Sequence, residues 1–504
     1  MAVSLIAAFA LRWLAARDTY LNPDEALHYL LINQSSLAAA YKASLTNAHP
    51  PLYFVLLYYW RFVGNSETML RLPSILAGTG ACWMAFRWIA MVLGKTAGLT
   101  ALLLLTFSPA LILISAEVRA YSLLLLWMTA ALYFLERALR DRRVSSIVYY
   151  SLFLYLAILT HYSALWFVLA AGIYTLVRLG ALSSRLRIVW ALFQVGAAAI
   201  YAWLYVAHIS KLRGSPMENT AITGWLRGLY FQHGQMSAAS FLRSASLGLF
   251  EFLSSSHAGG LVLLLFIAGL LWLVTVGFLK KRLDLAAFGL FLLLPFVLNF
   301  GGSLLDVYPY GGTRHCVYLV LFATAGVSFV VANAVHQKLL PVLLLAALIT
   351  PYWHRRHPPD PQAMNPKEQR KVLMTDALDY VHAAVPPEQP LFTDYQASIL
   401  LAYYLGRNQP PPPAVECAGA TETRYGPYRV VATGDWSATA TEMVTSLNRW
   451  RSMCSATPTD SFWVFDAGWG LNLLDDMQAA APQSVSQARR YGETVSLFNL
   501  RLDR

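Results

Sequence analysis

The run His49-Pro50-Pro51-Leu52-Tyr53-Phe54-Val55-Leu56-Leu57-Tyr58-Tyr59-Trp60-Arg61-Phe62-Val63 decides the topology of this chain. It is apolar, but it is short and carries Arg61, whereas a bilayer-spanning helix needs roughly 17–25 residues. As an interfacial or re-entrant helix it crosses nothing. As a span it would invert every segment after it. The charges choose between the two. With the run uncrossed, the clusters Arg137/Arg140/Arg142/Arg143, Arg178/Arg185/Arg187 and Lys280/Lys281/Arg282 all fall on one side. The opposite turns, near 116–119, 160–162 and 303–314, then carry only Arg119 and Arg314. Lys and Arg accumulate in cytoplasmic loops, so the clusters mark the inside and the other face is the outer one.

Outward from that run, stretches long enough to span occur at 1–16, 71–91, 97–115, 120–137, 144–160, 162–179, 187–208, 260–279, 284–302, 315–335 and 338–353. The first has a passable cleavage site at Ala15-Ala16 but no basic n-region, and it reads as an anchor rather than a signal peptide. The expectation is an α-helical polytopic membrane protein of eleven spans over residues 1–353. Its N-terminus lies inside, and its first outer loop runs over 17–70. Composition agrees: the 504 residues are 57% hydrophobic and 13% charged, against about 25% charged in a soluble chain. A soluble enzyme and a disordered chain are excluded. The net charge of +11 divides into +13 over residues 1–353 and −2 over 354–504. The basicity therefore belongs to membrane topology, and no nucleic-acid partner is implied.

After Trp353 the segment His354–Pro361 reads as a linker, and beyond it the period alternates. Helices are expected near 366–384, 396–405 and 439–451. Strands are expected at Pro390–Thr393, Arg429–Ala432, Phe462–Phe465 and Val495–Phe498. Residues 354–504 thus form an exported α/β domain, interrupted by Pro410–Pro413. Cys417 and Cys454 lie within it, where an oxidising compartment permits a disulfide; sequence does not show that they meet. Cys82 and Cys316 fall inside spans as core residues. Over 209–258, Trp225, Leu226, Leu229, Tyr230 and Phe231 suggest an amphipathic helix on the membrane surface.

Ionisable groups at the outer edge of a membrane are functional candidates, and the topology gathers several on one face. The first outer loop holds Asn22-Pro23-Asp24-Glu25, His28 and His49. Later outer turns hold Glu117-Val118-Arg119-Ala120-Tyr121, Thr160-His161-Tyr162, and Asp306 with Thr313-Arg314-His315. Such a set suits transfer from an anionic leaving group to a hydroxyl. A carboxylate takes the hydroxyl proton, while arginines hold phosphate oxygens and the charge that develops there. Blander readings exist for each group: Asp24 and Glu25 can cap a helix that begins at Pro23, Arg119 can anchor at the interface, and His161 can be a satisfied polar residue between helices. His49 with Glu117 or His28 has the donor types of a divalent-cation site, without HExxH or close ligand spacing. A divalent cation is the one cofactor left open.

The acidic pair, the HPPLY of His49–Tyr53, the RLPS of Arg71–Ser74 and the EVRAY of Glu117–Tyr121 together resemble the C-type (GT-C) glycosyltransferases that use polyprenyl-phosphate sugars. Within that class the chain is most similar to bacterial relatives of protein O-mannosyltransferases and of the lipid A aminoarabinose transferase. The resemblance implies a bacterial inner-membrane enzyme with a polyprenyl-phosphate-linked sugar as donor and a hydroxyl of a lipid, glycan or protein as acceptor. It also implies an inverting displacement with the Asp of the pair, Asp24, as general base and Glu25 as its neighbour. His49, Glu117, Arg119, Tyr121, His161, Arg314 and His315 are the candidates for substrate and lipid-phosphate binding. The chain departs from the aminoarabinose transferases at His49, where they place a Lys, and at Leu27, where they place an Arg. A transporter or flippase of an anionic lipid-linked sugar is the rival from another class; it would carry charges deep along a path through the spans. A non-catalytic envelope scaffold that presents the tail is a third.

Overall fold

The computed structural model describes residues 1–334, 368–387, 389–407, 409, 412–455, 460–469 and 473–502. It opens with helices α1 (Ala2–Arg17), α2 (Pro23–Ile32), α3 (Leu37–Ser44), α4 (Leu52–Trp60), α5 (Glu67–Leu93), α6 (Lys95–Phe107) and α7 (Pro109–Ser115). Then come α8 (Tyr121–Asp141), α9 (Val144–Thr160), α10 (Ala164–Val177), α11 (Ser184–Leu204), a π-helical turn Tyr205–Ile209, α12 (Ser210–Leu212) and α13 (Pro216–Thr223). The helices α14 (Ala238–Leu253), α15 (Gly259–Leu279), α16 (Leu283–Leu304) and α17 (Val320–Asn333) follow. Among the described residues, six helical segments are long and apolar enough to cross a membrane, and seven if the bent pair α6–α7 counts as one span. Each expected span up to 315–335 meets a helix; the run 338–353 and the linker 354–361 lie outside the described residues. α4 is nine residues long, too short to cross a bilayer, as its sequence predicts.

The chain divides into two compact units. The first comprises Met1–Ala15, Leu45–Tyr53 and Arg71–Pro361. Its helices pack through small residues: a Cβ on Gly269 of α15 would overlap the carbonyl of Gly326 on α17, the close approach on which helices in lipid depend. Its internal break is at Ser108, where α6 and α7 meet at 60°. Pro109 has no N–H to give the Leu105 carbonyl, so the helix cannot continue straight. Arg12 of α1, fully buried, supplies the missing donor. Its Nη2 reaches Leu105 O at 3.2 Å and its Nε reaches Ser115 Oγ at 3.2 Å. A charge inside a span is thereby bound at both ends of the bent pair.

The region Trp225–Phe231 departs from expectation. It holds only a 3-10 turn, Arg227–Leu229, and the amphipathic helix is α14, further along. Gly224 ends α13, and the Leu229 carbonyl is taken by Tyr310 N at 2.8 Å and Ser303 Oγ at 3.0 Å. With that acceptor spent on tertiary bonds, no helix propagates through the segment.

The second unit comprises Ala16–Ser44, Phe54–Leu70 and Gln362–Arg504. Its tail contains α18 (Lys371–Ala384), β1 (Pro390–Thr393), α19 (Tyr395–Gly406), β2 (Ala414–Cys417), β3 (Ala420–Tyr425), β4 (Tyr428–Thr433), α20 (Ala440–Met453), β5 (Ser461–Ala467), α21 (Leu473–Ala480), β6 (Val485–Tyr491) and β7 (Val495–Arg501). The strands form one sheet in the order β2-β3-β4-β1-β5-β7-β6. β1 runs parallel to β4 and to β5, and the remaining pairs are antiparallel. Phe392, Val431 and Val464 from the three parallel strands pack with Trp450, Met443 and Leu447 of α20. The disulfide joins Cys417 to Cys454. Strands β2, β3 and β6 and helix α21 escape the sequence reading. The edge strands expose most of their residues, so no apolar alternation marks them.

Candidate functional site

The predicted residues fall into both units. In the first, α7 stops at Ser115 and α8 starts at Tyr121, and the turn between them is the EVRAY segment. It is closed by Arg119 N donating to Glu117 O at 2.9 Å. Three sequence motifs are joined there in series: Tyr53 OH of HPPLY meets Ser74 Oγ of RLPS at 3.1 Å, and Ser74 Oγ donates to Arg119 O at 3.1 Å.

The 3-10 turn Arg314–Leu319 ahead of α17 brings Arg314 to the same place. Its Nη1 lies 3.3 Å from Glu117 Oε2, and both side chains are buried. Arg119 stands 5.8 Å from the Tyr121 ring centre. Around Tyr121 gather His161 at 4.8 Å, His49 at 6.2 Å and His315 at 6.4 Å between ring centres, and His49 and His161 are 5.1 Å apart. Four segments far apart in sequence thus bring two guanidinium groups, three imidazoles, a phenol and one carboxylate together. The imidazoles are individually oriented: His49 Nδ1 pairs with Asn47 Oδ1 at 2.6 Å, His161 Nδ1 with Ser163 Oγ at 2.8 Å, and His315 Nδ1 with Thr313 Oγ1 at 3.1 Å. Burial, with the charges of His315 and Arg119 alongside, holds His161 well below the ordinary histidine range. It serves there as a neutral donor or acceptor. Arg119 and Arg314 place two guanidinium groups beside Glu117, a donor set that suits an anionic ligand.

In the second unit, α2 carries Asp24 and Glu25. Asn22 Oδ1 accepts from Glu25 N at 2.9 Å, and Asn22 N donates to Glu25 Oε2 at 2.9 Å. This is a reciprocal capping box, with Pro23 in the first helical turn. Glu25 is fully buried, whereas Asp24 keeps part of its surface. His28 bonds the Asp24 carbonyl through Nδ1 at 2.7 Å and stacks on Phe54 at 5.1 Å. α2 is held by α19: Tyr29 meets Tyr403 edge-on at 5.1 Å, and Leu21 N donates to Tyr404 OH at 3.0 Å.

Two further polar groups were not singled out in the sequence. Arg12 stabilises the α6–α7 break that ends in the EVRAY turn. His208, in the π-helical turn, meets Tyr162 OH through Nδ1 at 2.5 Å, beside His161. The signal for both is an ionisable residue inside an apolar run. Among the described residues, no three His, Cys, Asp or Glu side chains converge as a cation site.

Residues 48–206 match the family model of dolichyl-phosphate-mannose-protein mannosyltransferases. By sequence, no curated protein matches the chain. By structure, the chain is similar to ArnT from Cupriavidus metallidurans in the apo state. That match has 13% identity and a TM-score of 0.54, and it covers 99% of this chain and 97% of that one. The same enzyme bound to undecaprenyl phosphate matches with 13% identity and a TM-score of 0.53 over the same shares. The Archaeoglobus fulgidus oligosaccharyltransferase tethered with an acceptor peptide aligns with 12% identity over 79% of this chain and 62% of its own, with a TM-score of 0.46. The chain thus carries a segment similar to the mannosyltransferase family over residues 48–206 and shares the fold of ArnT over almost its whole length.

Proposed function

We propose that the protein transfers a sugar from a polyprenyl-phosphate donor to a hydroxyl acceptor, with inversion and with Asp24 as general base. The reaction takes place at the outer face of a bacterial inner membrane. In this reading residues 1–353 are the membrane domain and 354–504 an exported domain. The observation that carries the proposal is the cluster of Arg119 and Arg314 beside Glu117, with His49, His161 and His315 around Tyr121. A lipid phosphate presents the dispersed anion that two guanidinium groups bind, and their charge stabilises the phosphate as it leaves. A phosphate leaves as a stable anion, so one base suffices. Of the two acids, Glu25 is fully buried in the cap of its own helix, while Asp24 is only half-buried.

The test is consumption of a radiolabelled polyprenyl-phosphate sugar by purified protein in lipid nanodiscs. Asp24→Asn is expected to lower turnover by about 10²–10⁴-fold, the usual worth of a general base, without shifting the melting temperature. Glu25→Gln is expected to lower stability first, through the cap. Undiminished turnover in Asp24→Asn would move the base elsewhere. A protein that moves labelled donor between leaflets without consuming it would be a transporter.

A further inference from the structure

At the centre of the tail sheet, β4, β1 and β5 are adjacent and parallel. The chain leaves β1 towards β4 on one side and then crosses to β5 on the other, which makes β1 the point where the winding reverses. Open sheets take ligands beyond the carboxyl ends of their parallel strands at such a point. Here each of the three strands delivers one aromatic ring past its carboxyl end: Tyr395 after β1, Trp436 after β4 and Trp469 after β5. The rings stand in a row, with centres 5.6 Å apart for Tyr395–Trp436 and 6.2 Å for Trp436–Trp469. Tyr395 is 42% exposed and Trp436 is 36% exposed.

The row is rigidly built. Gln396 ties all three loops: its N donates to Trp436 O at 3.2 Å, its Nε2 to Ser437 Oγ at 2.5 Å, and its Oε1 accepts from Trp469 N at 3.0 Å. Tyr395 N donates to Asp435 O at 3.0 Å. Gly468, at φ +126°, lets the third loop close on that amide, since a Cβ there would sit 2.5 Å from Gln396 Oε1. The indole Nε1 of Trp469 is buried without an acceptor. So is the hydroxyl of Ser496, which sits opposite Asp466 in the β5–β7 register. Buried polar atoms normally have partners, so the Trp469 indole marks a place beside the row where a ligand or water completes the bonding. A Cβ on Gly468 would also sit 3.0 Å from Pro23 Cγ, and Pro23 directly precedes Asp24.

We infer that this row of rings is a saccharide-binding subsite that holds the sugar portion of the acceptor. The inference rests on the glycosyl-transfer reading of Asp24 and names the substrate class beside it. A pyranose has an apolar face of C–H groups that lies on aromatic rings and an edge of hydroxyls that takes amide, carboxyl and indole N–H partners. The row offers such groups in the exposed Asp435 and in Trp469, above the buried Asp394 and Gln396. Its carboxyl groups oppose an anionic ligand, so the lipid-phosphate donor is the wrong occupant. The closeness of the Gly468 loop to Pro23 places the acceptor side of the reaction beside the helix that carries the base.

The experiment is calorimetric titration of the full-length protein in detergent micelles with maltohexaose and with chitohexaose, alongside a neutral serine-rich peptide. Saturable binding of at least one oligosaccharide is expected. It should be weakened about tenfold or more in Trp436→Ala and in Tyr395→Ala, and largely restored in Trp436→Phe. Thermal melts establish that each variant is folded. Absence of oligosaccharide binding, affinity unchanged in both alanine variants, or preference for the peptide would each overturn the inference. Donor consumption by the unaltered protein is measured separately. Its failure would remove the glycosyl-transfer reading while leaving the saccharide subsite standing or falling on its own titration.

Discussion

The transmembrane unit and the second unit both bury carboxyl groups, and they keep charge in check by opposite means. In the first, Glu117 faces Arg314 at 3.3 Å, so a negative charge is met by a positive one. In the second, Asp394 and Asp466 bury two acids beside each other at the ends of adjacent strands. Burial pushes Asp394 up to about 6, and burial with the charge of Asp394 pushes Asp466 up to about 8. There one of the two charges is suppressed by protonation: Asp466 keeps its proton at neutral pH after Asp394 has given up its own. Asp394 accepts from Ala397 N at 2.8 Å, and Asp466 accepts from Leu473 N at 3.3 Å. An ion pair holds its geometry at any ordinary pH, whereas a carboxyl pair holds a proton only within a window. The difference fits a charge-paired cluster in one unit and a titratable support under the aromatic row in the other.

Breaking the ion pair is expected to have the largest effect. Glu117→Ala leaves a buried guanidinium without its carboxylate, which typically costs about 3–5 kcal/mol. Thermal unfolding in detergent should show it as a clear drop in melting temperature, together with loss of turnover. The double variant Glu117→Ala/Arg314→Ala should recover part of the stability, because the uncompensated charge is gone. Simple addition of the two single losses would mean that the pair is not coupled, and the contrast with the carboxyl pair would collapse.

The second test addresses the carboxyl pair. Both folded-state values lie above the unfolded ones, so the native state binds more protons. The resulting stability is complete below about pH 4, where the unfolded acids also titrate. It is lost as pH rises through about 6 and about 8. Melting of the tail should therefore fall between pH 5 and pH 9, with a slope of no more than about 1.4 kcal/mol per pH unit for each proton. Asp466→Asn should flatten the upper part of that profile. An unchanged profile in this variant would place the titration elsewhere.

How much of this was legible beforehand depends on the kind of interaction. Spans were legible because a helix in lipid must be apolar for its whole length. The strands β1, β4, β5 and β7 were legible because the interior of the sheet buries them. Edge strands β2 and β6 face water and carry no such pattern. Within the cluster, the charge pattern of the loops led the sequence reading to put Glu117, Arg119, His161 and Arg314 on one face. The pairing of Glu117 with Arg314 was not legible, because 197 residues separate them and only packing sets their distance. Arg12 was missed for the same reason: its role depends on the Leu105 carbonyl, which Pro109 leaves without a donor.

The smallest expected effect separates the ion pair from the neutral bonds that hold the same turn. Tyr53→Phe removes the hydroxyl at 3.1 Å from Ser74 Oγ, while Ser74 still donates to Arg119 O. One uncharged hydrogen bond contributes about 0.5–1.5 kcal/mol, so the melting temperature should move less than in Glu117→Ala. If the bond also positions Arg119, the KM for the polyprenyl-phosphate donor should rise several-fold while kcat holds, since a guanidinium displaced from a phosphate loses ground-state binding first. A fall in kcat with KM unchanged would place Arg119 against the charge of the transition state instead. A loss as large as that of Glu117→Ala would mean that the neutral chain through Ser74, and not the Glu117–Arg314 pair, sets the shape of the cluster.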